Sequence, residues 1–88
     1  MKHRLEEFGE SELELIFVAT RLKQAQAIEQ LLDGEEIEYG LQVESFRGGF
    51  LGLSQRTGVF FYALVGQAEF CRALLVRHGH RPIPAPAL

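Results

Sequence analysis

The run Gly58-Val59-Phe60-Phe61-Tyr62-Ala63-Leu64-Val65 constrains this chain more than any other feature. Its β-branched and aromatic residues read as a strand. Successive side chains of a strand point to opposite faces, so Val59, Phe61, Ala63 and Val65 share one side and Phe60, Tyr62 and Leu64 the other. Both sides are apolar, which suits a central strand. A second run, Leu13 to Thr20 (LELIFVAT), has the same character, with Leu15, Phe17 and Ala19 opposed to Ile16 and Val18.

Other elements fall between and after these runs. Thr20 is placed to cap a helix, and Leu22, Ala25, Ile28, Leu31 and Leu32 recur at three- and four-residue spacing. Asp33-Gly34 ends that helix, with Gly34 as its left-handed cap. Ile37 to Phe46 alternates, Tyr39, Leu41 and Val43 against Glu38, Gln42 and Glu44, as an edge strand with one wet face does. A second helix runs from about Gln67 to His78, with Phe70, Cys71, Leu74 and Leu75 as its stripe and Gly79 just past its end. Pro82, Pro84 and Pro86 forbid a helix in the tail and allow a short edge strand around Arg81–Ile83.

Strand, helix, strand, strand, helix, short strand is the order of an α+β, ferredoxin-like split βαβ sandwich (βαββαβ): an antiparallel sheet with two helices on one face. Right-handed crossovers set the first and third strands side by side in its centre. At 88 residues the chain holds one domain. Residues 1–12 are expected as a charged, flexible tail, 13–83 as the domain and 84–88 as a proline-containing tail.

Such a sandwich covers one sheet face with helices and leaves the other open. Either alternating set of the two central strands leaves four or five large apolar side chains there, a larger patch than soluble monomers usually expose. Ile16, Val18, Phe60, Tyr62 and Leu64 are taken as that outward row. The expectation is a homo-oligomer, dimer or trimer, formed through the sheet face, with cover by Ile83 and Leu88 of the tail as the other solution.

Charge is divided along the chain. Residues 1–44 hold eleven acids against four bases, and residues 45–88 five arginines against Glu69 alone. The formal net charge of −3 argues against nucleic acid as a partner. RNA-binding modules of this topology stack bases on the open face, but here that face borders Glu38, Gln42 and Glu44, and neither central strand carries a basic residue. One cysteine excludes an internal disulfide framework, and no apolar run approaches the roughly 18 residues that span a bilayer. A cytoplasmic chain with no membrane association is expected.

The connection Arg47–Thr57 (RGGFLGLSQRT) is the leading site. Gly48, Gly49 and Gly52 let backbone approach a ligand, Arg47 and Arg56 can pair with phosphate or carboxylate, and Phe50 is too apolar for a plain wet loop. No phosphate-cradle motif is present. His3, His78 and His80 fall short of a metal set, and no metal or other cofactor is expected. Cys71, on the helix stripe, reads as a small core residue. Glu35, Glu36 and Glu38 read as a solvated turn, and no serine has a nucleophile context, so no enzyme is expected.

The run Phe17-Val18-Ala19-Thr20, then Ala25-Gln26-Ala27-Ile28-Glu29-Gln30-Leu31-Leu32, followed by Gly34, Ile37 and a strand, resembles a family of short bacterial proteins described as prokaryotic signal-transducing proteins. That family has a ferredoxin-like fold likened to the nitrogen-regulatory PII type. The resemblance covers roughly residues 13–78. It implies a non-catalytic regulatory domain, oligomeric, with an effector at subunit clefts beside the loop, here Arg47–Thr57. Two functions follow as expectations. One is a signal-transducing domain binding a small anionic effector or a protein partner near residues 47–57. The other is a structural module docking another protein through the open sheet face.

Overall fold

The three longer strands form where the β-type runs lie: β2 (Leu13–Ala19), β3 (Tyr39–Gly48) and β4 (Ser54–Leu64). The computed structural model describes residues 1–48 and 54–86, so Gly49, Phe50, Gly52 and Leu88 lie outside the described residues. α1 (Leu22–Gly34) and α2 (Val65–Arg77) follow β2 and β4. A fourth strand, β1 (Lys2–Arg4), and a 3-10 turn (Leu5–Phe8) occupy the segment expected as a flexible tail. Among the described residues the architecture is α+β, two helices with a four-stranded sheet of order β1-β3-β4-β2.

β2 and β4 lie side by side and antiparallel, as expected of the two most apolar strands, and β4 continues antiparallel to β3. β1 runs parallel to β3, so the sheet is mixed rather than wholly antiparallel. Arg81–Ile83 does not form a strand. Its place beside β2 is marked by one backbone bond, Ile83 N–H to Ile16 O at 2.7 Å. Pro82 lacks the donor a ladder would need.

The core gathers the helix-facing row Phe17, Ala19, Tyr39, Phe61 and Ala63 against Ala25, Ile28 and Leu32 of α1 and Ala68, Cys71, Leu74 and Leu75 of α2. Phe61 meets Phe17 edge-on at a ring separation of 6.3 Å. Two residues assigned to the helix stripes are exposed. Leu22 (73%) sits about a quarter turn from the line of Ala25, Ile28 and Leu32, and Phe70 (50%) lies on the far side of α2.

Both helices end alike. Ile37 N–H bonds to Leu32 O and Glu36 N–H to Asp33 O, while His80 N–H bonds to Leu75 O and Gly79 N–H to Val76 O. These are paired 6→1 and 5→2 closures, which place the residue after the cap in left-handed backbone. Gly79 (φ 81°) fills that position after α2 as expected, but after α1 it is Glu36 (φ 56°), not Gly34.

Candidate functional site: the outer sheet face and its N-terminal cover

A bulge in β2 decides which side chains reach the outer face. Leu15 pairs with Tyr62 and Phe17 with Phe61, so Ile16 is an extra residue with no partner on β4. The insertion reverses the alternation. Before it, Leu13 and Leu15 share the outer face with Leu64 and Tyr62; after it, Val18 shares that face with Phe60. Ile16 is turned into the core and is 0% exposed, so it is not part of the outward row. Val18, Phe60, Tyr62 and Leu64 are on that row and half-buried, and Leu15 joins them.

The bulge also turns Glu14 to the helix side, where a charge needs a partner. Arg72 of α2 supplies it. This arginine is 6% exposed, pairs with Glu14 at 2.8 Å and Glu69 at 2.6 Å, and donates to Leu15 O at 3.2 Å and Ile83 O at 2.7 Å. One guanidinium thus holds the bulge, the tail and an acid from the other half of the chain. Beside it the tail packs His80 edge-on against Phe17, 5.9 Å between rings.

The N-terminal segment lies across part of the outer face. Gly40 on β3 pairs with Tyr62, and a Cβ there would stand 2.6 Å from Leu5 Cδ2 and 3.0 Å from Phe8 Cε2. Glycine is therefore the residue that lets Leu5 and Phe8 rest on the sheet. β1 adds Lys2, His3 and Arg4 alongside Tyr39, Gly40 and Leu41. Lys2 reaches Glu29 of α1 at 3.1 Å.

His3 fastens this cover. Its Nδ1 is 2.6 Å from Glu7 Oε2, its Nε2 is bonded to Glu38 Oε2, and its ring meets Phe8 edge-on at 5.4 Å. Two carboxylate acceptors require both ring nitrogens to donate, which is the imidazolium form. The bonds to Glu7 and then Glu38 raise the His3 pKa above its ordinary 6.5, and the His3 bond holds the Glu7 carboxyl below its ordinary range. Glu38, read as part of a solvated turn, is thus engaged. His3, Glu7, Phe8, Ser11, Glu38 and Leu64 line a shallow depression of about 300 Å³.

At the other end the β3–β4 hairpin outruns its neighbours. β1 stops opposite Leu41 and β2 opposite Val59, while the hairpin register continues from Glu44↔Gly58 to Gly48↔Ser54. Most of the connection expected over Arg47–Thr57 is therefore strand, because a two-stranded ribbon satisfies backbone groups a loop would leave to solvent. Val43 at its base is 67% exposed. Position 47 pairs with Gln55 and position 56 with Phe46, on neighbouring rungs of the ribbon. Arg47 and Gly48 lie in β3 and Arg56 in β4.

Cys71 is buried, and burial pushes its thiol up to about 11. Tyr62 is also raised, by burial and by Glu44. Among the described residues no group of three or more His, Cys, Asp or Glu side chains could hold a metal ion, and no helix is long and apolar enough to cross a membrane. Protein-family models, curated proteins and solved structures give no match to this chain.

Sequence reasoning missed the cover and the Arg72 clamp. Gly40 inside an alternating strand was the available signal for the first, and an arginine one turn from Ala68 and from Leu75 the signal for the second.

Proposed function

We propose that this chain is a non-catalytic regulatory domain that docks a polypeptide on its outer sheet face, beside β3 and across Gly40. The observation that carries the reading is that this face already holds a polypeptide in cis: a short strand added to the edge of β3, with Leu5 and Phe8 set on Gly40. Strand addition with apolar side chains in a notch is a general mode of peptide recognition. Val18, Phe60 and Tyr62 continue the apolar row past the cover and give an incoming chain a second contact. The expected docking through Phe60, Tyr62 and Leu64 is kept, with Leu15 in place of Ile16. The docked cover is what favours this reading over an anionic effector at Arg47 and Arg56.

The fold is read as a ferredoxin-like variant. β2-α1-β3 and β4-α2-tail are its two halves, with the tail in the fourth strand's position and β1 added beyond β3. This keeps the resemblance to prokaryotic signal-transducing proteins as the reason for a regulatory role.

The test uses the full chain carrying His3→Ala, Leu5→Ala and Phe8→Ala, which frees the notch. A synthetic peptide of residues 1–11 is titrated in while the Gly40 and Tyr62 amide resonances are followed. Saturable shifts that vanish with Phe8→Ala in the peptide are expected. No shift at millimolar peptide contradicts the reading, and loss of docking on Arg47→Ala with Arg56→Ala would move the site to the hairpin.

A further inference from the structure

The cover carries a record of what the docking face selects. Lys2, His3 and Arg4 run parallel to β3 alongside Tyr39, Gly40 and Leu41, and the Tyr39 N–H bonds to Met1 O at 3.1 Å. The pleat sends neighbouring side chains to opposite faces. Lys2 goes to the helix side, where its Nζ is 3.1 Å from Glu29 Oε1 of α1. His3 goes to the outer side, where its Nε2 is bonded to Glu38 Oε2. An acid of the body therefore stands on each face of this edge. Asp33, which accepts the Tyr39 hydroxyl at 3.0 Å and lies 3.6 Å from the Met1 nitrogen, adds a third at the head of the strip. Past the charged stretch the site turns apolar, with Leu5 and Phe8 over Gly40.

Resting on the docking reading above, we propose that the partner is a basic-then-apolar segment of another protein: cations at two successive positions, then large apolar side chains two and five positions after the second. Residues 2–8 are a built-in mimic of that segment. Two cations are needed because the strand alternates; a single one would answer Glu29 or Glu38 and leave the other carboxylate beside the incoming chain without its complement. The mimic is imperfect in one respect. Glu7, which bonds to His3 Nδ1 at 2.6 Å and to the Arg4 backbone, belongs to the cover and takes one of the two His3 nitrogens. A partner with arginine in the His3 position and no acid in the Glu7 position keeps its whole charge, and a fork of donors, for Glu38.

The same contacts make the cover a filter. It is held by three strand pairs and by side chains that stay partly exposed, Lys2 at 58% and His3 at 25%, which puts its opening at the low-stability end of the molecule. A tethered segment nevertheless competes at an effective concentration of about millimolar. The face is thus closed to weak apolar peptides and open to segments that match Glu29 and Glu38 better than the cover does.

The test uses the full chain with Lys2→Ala, His3→Ala, Leu5→Ala and Phe8→Ala, which vacates the face, and synthetic peptides of residues 1–11 titrated against its Gly40 amide resonance. Circular dichroism verifies folding of each protein variant. Lys2→Glu in the peptide should weaken docking about three- to tenfold, and Glu29→Lys in the protein should reverse that preference. His3→Arg with Glu7→Gln in the peptide should tighten docking about threefold or more, a gain that Glu38→Gln in the protein removes. A native peptide that docks with an affinity indifferent to Lys2→Glu and Glu29→Lys overturns the basic partner and leaves the docking reading in place. No docking by either the native or the arginine peptide at millimolar concentration ends both. Dimers of the unsubstituted chain in sedimentation velocity that Gly40→Val abolishes would make the partner the same segment of a second copy, and would overturn the assignment to another protein.

Discussion

Replacing Arg72 by leucine keeps most of its apolar stem and removes the guanidinium. Four partners lose their contact: Glu14, Glu69, Leu15 O and Ile83 O. The Glu69 pair is at the surface and contributes little. Breaking a buried ion pair costs about 3–5 kcal/mol, and each charged hydrogen bond to a carbonyl adds to that penalty. The Glu14 side chain remains 20% exposed and recovers some hydration, so the low end applies, about 3 kcal/mol. A domain of this size has roughly 4–13 kcal/mol in all, so at least about a quarter of its stability goes. Urea denaturation followed by circular dichroism should show this, with a melting point lower by roughly 12–24 °C. The Ile83 amide, bonded to Ile16 O, should lose hydrogen-exchange protection. Arg72→Leu with Glu14→Leu should recover part of the loss, because removing both charges leaves none stranded. A cost under about 1 kcal/mol for the single variant would refute the clamp.

Four further outcomes follow from the same contacts. Glu36→Gly relieves left-handed backbone after α1 and should stabilise the domain by about 0.5–1 kcal/mol in the same urea assay. Gly40→Val puts side-chain atoms where Leu5 and Phe8 rest, and should release residues 1–8 to rapid amide exchange while the Phe61 amide stays protected. The His3 latch should weaken in both directions of pH. Its imidazolium contribution is full below pH 6.5 and fades as pH rises through the raised native pKa, while the Glu7 contribution is full above 4.5 and fades as pH falls through its lowered one. The Arg4 amide's protection factor, with the intrinsic pH dependence of exchange divided out, should be highest between those values, and His3→Gln should flatten that profile. Cys71, with its thiol near 11, should resist thiol reagents at pH 7.5 until the chain is unfolded.

Much of the frame could be read from pattern. The double-sided apolarity of residues 59–65 and 13–19 set β4 beside β2, but apolarity on both sides leaves open which row faces the helices; the structure turns Phe61 and Ala63 to them and Phe60 and Tyr62 outward. Strict alternation failed at Ile16, because a single inserted residue reverses every assignment beyond it. The hint was Glu14, which strict alternation puts on one face with Ile16 and Val18, where an acid among apolar residues is costly. β1 was hidden by its three charged residues, which carry no periodicity. It is short enough that partner contacts, not propensity, make it a strand. The helix stripe misplaced Phe70 because α2 is apolar on both sides, so spacing alone could not say which side meets the sheet. The loop was drawn too long because glycines and arginines in Arg47–Thr57 read as a connection, whereas strand pairing runs on to Gly48 and Ser54.

Nuclear Overhauser contacts between the Gly40 α-protons and the Leu5 methyl and Phe8 ring protons test the outer-face assignment most directly. At pH 5.5 strong cross-peaks are expected, and they should decline as pH rises through the raised His3 pKa. Their absence at pH 5.5, with random-coil shifts for residues 1–8, would mean that the face holds no polypeptide in cis and would contradict the account.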